Sequence, residues 1–159
     1  MKIENILKLA ASIMLCLSAG VIGSVFTMDS IPTWYAALEK PFFSPPNWVF
    51  APVWTTLFIL MGISLYLVWK KGIKTEGVKI ALILFAAQLV LNTLWSIIFF
   101  GMRSPIYAFV EIVMLWILIL FTIITFYKIS KTASYLLIPY ILWVSFAAVL
   151  NFSIFVLNS

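Results

Sequence analysis

Apolar residues follow one another along this chain in five long runs, at about 6–28, 48–69, 78–100, 105–127 and 135–157. Each run reaches the ~20 residues that an α-helix needs to cross the hydrocarbon core of a bilayer. Three of the links between them are short, at 70–77, 101–104 and 128–134. Short links make successive helices antiparallel neighbours. The pattern therefore predicts an all-α fold, a single domain over 1–159 that forms an integral membrane bundle of five transmembrane helices. The first run is read as a span and not as a cleaved leader, because it exceeds the roughly 7–15 apolar residues of a signal peptide and is preceded by Glu4. Lys8 sits near enough to its end to snorkel to the boundary.

Only the first link is long, at about 29–47, and it is aromatic and proline-rich. Pro32, Pro41, Pro45 and Pro46 restrict its backbone and exclude a regular helix. Trp34, Tyr35, Phe42 and Phe43 are more aromatic surface than a solvated loop carries. The link is expected to fold onto the bundle as a lid; an interfacial aromatic belt is the other reading.

Composition agrees with a lipid solvent. Of the 159 residues, 65% are hydrophobic and 9% charged, too little polar surface to cover a water-soluble particle. The ten basic residues are unevenly placed. Lys2, Lys8, Lys70, Lys71, Lys74, Lys79, Lys128 and Lys131 fall on one side of the alternation, and only Lys40 and Arg103 on the other. This bias puts the N-terminus in the cytoplasm and the long link and C-terminus outside, in a cell membrane. It also explains the net charge of +5 without nucleic acid, since the lysines sit in short links between spans. The chain has no histidine and a single cysteine, Cys16, so a structural zinc site, an intrachain disulfide and imidazole ligation of haem are all excluded.

Polar residues inside spans are costly, so their positions are informative. Gln88, Asn92, Trp95, Ser96 and Phe99 share one face of the third run. Tyr140, Trp143, Ala147, Asn151 and Ile154 do so on the fifth. Trp54, Phe58, Met61 or Gly62, and Leu65 form a stripe on the second, below Pro52. If the three faces converge, they line an apolar pocket with a few hydrogen-bonding groups, the usual makeup of a small-molecule site. The alternative is that Asn92 and Asn151 are interhelical glue. Glu111, the one acidic residue well inside a span, is open between a hydrogen bond to a neighbouring helix, protonation and a site role. Gly20 and Gly23, with Ser18 and Ser24, suggest close packing of the first helix. Leu60, Tyr66 and Lys70 match a cholesterol-recognition spacing too loose to assign in a chain so rich in these residues. No internal repeat or pair of broken helices supports a secondary transporter.

These residues also carry a resemblance. Trp34, Tyr35, Leu38, Lys40 and Pro41, followed by Pro45 and Pro46, resemble the first-loop signature of the TspO/translocator proteins. These are the tryptophan-rich sensory proteins related to the peripheral benzodiazepine receptor. Trp54, Met61, Gly62 and Trp69 continue the match, as do Leu91, Asn92, Trp95, Ser96, Phe99, Phe100 and Gly101 in the third run. Glu111 and Trp116 fit the fourth run, and Pro139, Tyr140, Trp143, Phe146, Ala147, Leu150 and Asn151 the fifth.

The resemblance implies a five-helix bundle, often a homodimer, whose cavity is capped by the first loop. It implies binding of porphyrins or other tetrapyrroles as ligand, with no resident cofactor, and of isoquinoline-carboxamide or benzodiazepine-type drugs. By motif position Tyr35, Pro45, Trp54, Phe58, Asn92, Trp95, Ser96, Trp143 and Ala147 would line the cavity. The lid would use Trp34, Lys40, Pro41 and Pro46, with Lys40 placed to meet a propionate or simply to snorkel. The role implied is a sensor, scavenger or transport-assisting protein. The runner-up is light-dependent oxidation of protoporphyrin through Trp54 and Trp143. Two departures are visible. Residues 151–159 hold neither tyrosine nor a basic residue, unlike the cholesterol-recognition segment of animal members, so sterol binding is not expected. Phe42 and Phe43 stand where the family usually has a tryptophan between Lys-Pro and Pro-Pro.

Overall fold

The computed structural model describes residues 3–159, so Lys2 of the basic cluster lies outside the described residues. Its helices are α1 (Ile3–Met28), α2 (Asn47–Trp69), α3 (Val78–Ser96), α4 (Pro105–Ile129), α5 (Lys131–Leu136) and α6 (Ile138–Leu157). No strand occurs among the described residues. Five segments are long and apolar enough to cross a membrane, with α3 extended to Gly101 and α5 joined to α6. The protein is an integral membrane protein of five spans.

The ends of the runs are set by backbone chemistry. Gly77 begins α3 with φ +79°, a left-handed conformation that residues with a side chain rarely adopt. Pro105 opens α4, where its missing N–H lies among the donors that have no intrahelical partner anyway. The fifth run is not one regular helix. Pro139 cannot donate to the carbonyl four residues back, and the chain breaks at Leu137 (φ −90°, ψ −8°) before α6 continues. The third run widens after Ser96 into a π-turn, in which the Met102 N–H reaches back five residues to the Ile97 carbonyl (2.8 Å).

Packing follows a ring. α1 lies against α2 and α3, α4 against α3 and α6, and α5 against α2 and α4. The sequence-adjacent α2 and α3 touch less than either touches α1. Their link, residues 70–77, is long enough to let α1 pack on both. Gly62 of α2 meets α1 so closely that a β-carbon on it would stand 2.6 Å from Cα of Ile13. Small residues therefore bring these two backbones together.

The long link lies on the bundle. It begins with a π-turn at Ile31–Tyr35, closed by the Tyr35 N–H on the Ser30 carbonyl (2.8 Å). Ser30 is buried and its hydroxyl donates to the Phe100 carbonyl (2.8 Å), tying the link to the end of the third span. Trp34, Leu38 and Phe43 pack with Tyr35, Phe99 and Ile154 in a second apolar cluster, apart from the main core. Aromatic surface is thus used against the bundle rather than displayed as a belt. Phe42 is the exception and is fully exposed.

Candidate functional site

Beneath the link is a cavity of about 240 Å³. The three faces read from the sequence do converge on it. Trp54 and Phe58 come from α2, Asn92, Trp95 and Ser96 from α3, and Trp143 and Ala147 from α6, with Tyr35 closing the top. Pro45 is not in the wall, and the link contributes Tyr35 and Ile31 to it instead. Trp34, Lys40, Pro41 and Pro46 also lie outside the wall.

Aromatic rings hold one another in place around this space. Trp54 stacks on Phe58 (centroids 5.5 Å apart, planes at 29°) and meets the edge of Tyr140. Trp95 stacks on Phe99 (5.0 Å, 20°), and Trp34 of the link meets the same Phe99 edge-on. Trp143 contacts Phe50 and Phe146, and Phe43 of the link rests on Phe146. Edge-to-face and offset arrangements are those that the ring quadrupoles favour.

The amides resolve the choice between glue and ligand contact residue by residue. Asn151 lines the cavity and also bonds across helices: it accepts from Trp95 Nε1 (3.1 Å) and donates to the Pro105 carbonyl (2.7 Å). Asn92 donates its amide to the Tyr140 hydroxyl (2.9 Å), which donates in turn to Gln88 Oε1 (2.8 Å). Asn92 also lines the cavity, where its carbonyl oxygen is the polar atom left over. Gln88 and Tyr140 are buried behind the wall and do not line it. Trp143 Nε1 is buried and has no hydrogen-bond partner among the described residues.

No Asp, Glu, Lys or Arg lines the cavity among the described residues. Lys40 is turned toward its own loop: Nζ donates to the carbonyls of Leu38 (3.0 Å) and Ala36 (3.4 Å) and lies 4.7 Å from the centre of the Tyr35 ring. Burial pushes the Tyr35 hydroxyl above its ordinary pKa. Glu111 is buried, and neither carboxyl oxygen has a hydrogen-bond partner among the described residues, so of its three readings the bond to a neighbouring helix is not made. No group of residues able to hold a metal ion occurs among the described residues.

The contribution of α1 was not expected. Gly20, Gly23, Ser24 and Thr27 form one wall, and a β-carbon on Gly23 would lie 3.1 Å from the Ser96 hydroxyl. Their small-residue spacing reads from sequence as packing only. The glycines serve packing and also leave room for the cavity.

The sequence matches the model of the TspO/MBR family over residues 12–157. It is 51% identical to the tryptophan-rich protein TspO of Archaeoglobus fulgidus, over 98% of this chain and 99% of that one. It is 40% identical to the human translocator protein, over 84% of this chain and 79% of the other. The tryptophan-rich sensory protein of Cereibacter sphaeroides is 35% identical, over 90% and 86%.

Proposed function

The chain belongs to the TspO/MBR family, and from that premise we propose that it binds a flat tetrapyrrole of the protoporphyrin type inside the membrane, as a sensor, scavenger or transport-assisting protein. One observation supports this above the others. Trp54, Trp95 and Trp143 surround a cavity that no Asp, Glu, Lys or Arg lines among the described residues and that the side chain of Asn92 also lines. Broad ring faces suit a planar macrocycle, and the Asn92 amide suits a polar group on its edge. With Lys40 held by its own loop, charged propionates are left at the mouth, in reach of water. The test is titration of the purified protein with protoporphyrin, read by tryptophan fluorescence. Saturable quenching, weakened by Trp143→Phe, supports the reading. Quenching that never saturates rejects it.

A second reading is light-driven oxidation of bound protoporphyrin, with dioxygen as electron acceptor and an indole as relay. It is favoured by the contact of Trp54 with Tyr140, two oxidisable rings with centroids 6.3 Å apart, of which Trp54 lines the cavity and Tyr140 lies behind it. Illumination that converts the porphyrin spectrum, and fails to do so in Trp54→Phe or Trp143→Phe, selects it. Binding with an unchanged spectrum selects the first reading.

The family premise extends to a homodimer and to isoquinoline-carboxamide or benzodiazepine-type ligands. It extends also to a cell-membrane location with the lysine-rich end in the cytoplasm, as the positive-inside bias favours. Labelling Lys74→Cys in intact cells with a membrane-impermeant maleimide tests that orientation; reaction from outside reverses it.

A further inference from the structure

At the end of the bundle away from the cavity, Lys70, Lys71, Lys74, Lys79, Lys128 and Lys131 are all exposed. They belong to two chain segments that meet. A β-carbon on Gly77 in the first would lie 3.9 Å from Cδ1 of Ile129, which stands between Lys128 and Lys131 in the second. None of the six makes an ion pair among the described residues, where the one such pair is Lys8 with Glu4. A positive-inside bias accounts for the side of the membrane on which these charges lie. It leaves two features of their arrangement unexplained.

The first is depth. Lys70 Nζ lies 5.3 Å from the centre of the Tyr66 ring, and Lys131 Nζ 5.6 Å from that of Tyr127. Tyr127 in turn meets the edge of Tyr135 (6.2 Å). Tyrosines at the ends of spans sit at headgroup level. The rings therefore hold these two ammonium groups at that level instead of letting them extend into water. An ammonium over a ring face keeps N–H donors for a further acceptor.

The second is position along the helices. Lys79 lies in the first turn of α3, which carries no acidic residue. A helix N-terminus has partial positive charge, so a cation there stands against the helix dipole. An anion from outside the chain offsets both. Ile73, exposed between Lys71 and Lys74, offers an apolar neighbour beside that anion.

We propose that the two segments form a seat for the headgroup of an anionic phospholipid in the adjoining leaflet, whose phosphate the lysines share. A lipid fits better than a soluble anion because the rings fix the cations at headgroup depth and Ile73 meets the acyl end. The seat stands independently of any guest in the cavity.

Native mass spectrometry of the full-length protein, offered equal amounts of phosphatidylglycerol and phosphatidylcholine with matched acyl chains, reads the preference. Wild type should retain phosphatidylglycerol. Lys70→Gln, Lys79→Gln, Lys128→Gln and Lys131→Gln should each lower the preference about fivefold, the scale of one lysine at a charged membrane surface. Lys40→Gln and Arg103→Gln, at the opposite end, should leave it unchanged. Tyr127→Leu removes no charge and should still lower it, because Lys131 loses its ring. Thermal unfolding gives a second reading. In phosphatidylcholine nanodiscs Lys79→Gln should unfold above wild type, since a misplaced charge is gone, and in phosphatidylglycerol nanodiscs below it. Equal retention of the two lipids by wild type overturns the proposal, as does a preference that survives Tyr127→Leu or the same unfolding order in both lipids. Displacement of phosphatidylglycerol by inorganic phosphate, or by polyglutamate, also overturns it and assigns the face to a soluble anion or to an acidic protein.

Discussion

Gly20 of α1 faces the ring of Phe58 on α2 so closely that a β-carbon there would stand 2.5 Å from Cε2. The neighbour is a side chain that can turn, and it is the ring on which Trp54 stacks. Gly20→Ala should therefore act on the cavity first, unstacking Trp54 and weakening ligand affinity while the fold survives. Gly62→Ala meets backbone at Ile13, which cannot swing away. It should cost about 1–3 kcal/mol, as overpacking does. Thermal unfolding in detergent, beside ligand titration, separates the two: the larger loss of stability belongs to Gly62→Ala.

Asn151 joins three spans through one side chain. Asn151→Leu leaves the Trp95 N–H without a partner and the Pro105 carbonyl with only its helical one, at a cost of about 1–3 kcal/mol. Trp95→Phe removes the same indole donor. The double variant should then cost clearly less than the sum of the singles, the signature of a shared interaction. Strict additivity in unfolding experiments contradicts the bond.

The Tyr140 hydroxyl bridges Asn92 and Gln88 beneath the cavity without lining it. Tyr140→Phe keeps the ring edge against Trp54 and removes both bonds. Stability should fall by about 1–3 kcal/mol from the two amides left buried, with affinity changed less than in Trp143→Phe. An affinity loss as large as that of Trp143→Phe would place the hydroxyl in the site.

Tyr35 gives a pH signature. Burial favours its neutral form, so the folded-state pKa lies above the ordinary value of about 10. The stability it lends is whole below that ordinary value and is lost as pH rises through the folded pKa. A difference titration of phenolate absorbance, wild type minus Tyr35→Phe, should show a midpoint above that of free tyrosine. A midpoint at or below it would mean that the link does not cover the ring.

The five spans are legible because composition alone requires them, and run length then fixes their ends to within a few residues. The faces of α2, α3 and α6 are legible because their large side chains repeat at helical spacing, which puts Trp54, Asn92 and Trp143 around one space. The wall from α1 is not, since Gly20 and Gly23 have no side chain to signal which way they face. Pro45, placed at the cavity by motif position alone, lies outside its wall, since a proline stiffens the chain without fixing which side it faces. Lys40 lies in the loop as expected, but the bonds of its ammonium to the Leu38 and Ala36 carbonyls are not legible, because a long side chain has many ways to turn. The break at Leu137 is hidden inside an uninterrupted apolar run, although Pro139 marks the place. Whether Glu111 finds a partner depends on packing angles between helices, which no local pattern encodes.

The wall of the cavity carries no formal charge, and this bears on energetics that contacts alone do not show. Moving one elementary charge through the membrane field is worth about 2.3 kcal/mol per 100 mV. A neutral guest that enters this space moves none, and no side chain around it changes charge position to admit one. Occupancy is then electrically silent. The same fraction of sites fills whether the bilayer is energised or collapsed, and the guest's concentration in the bilayer sets the occupancy without reference to voltage.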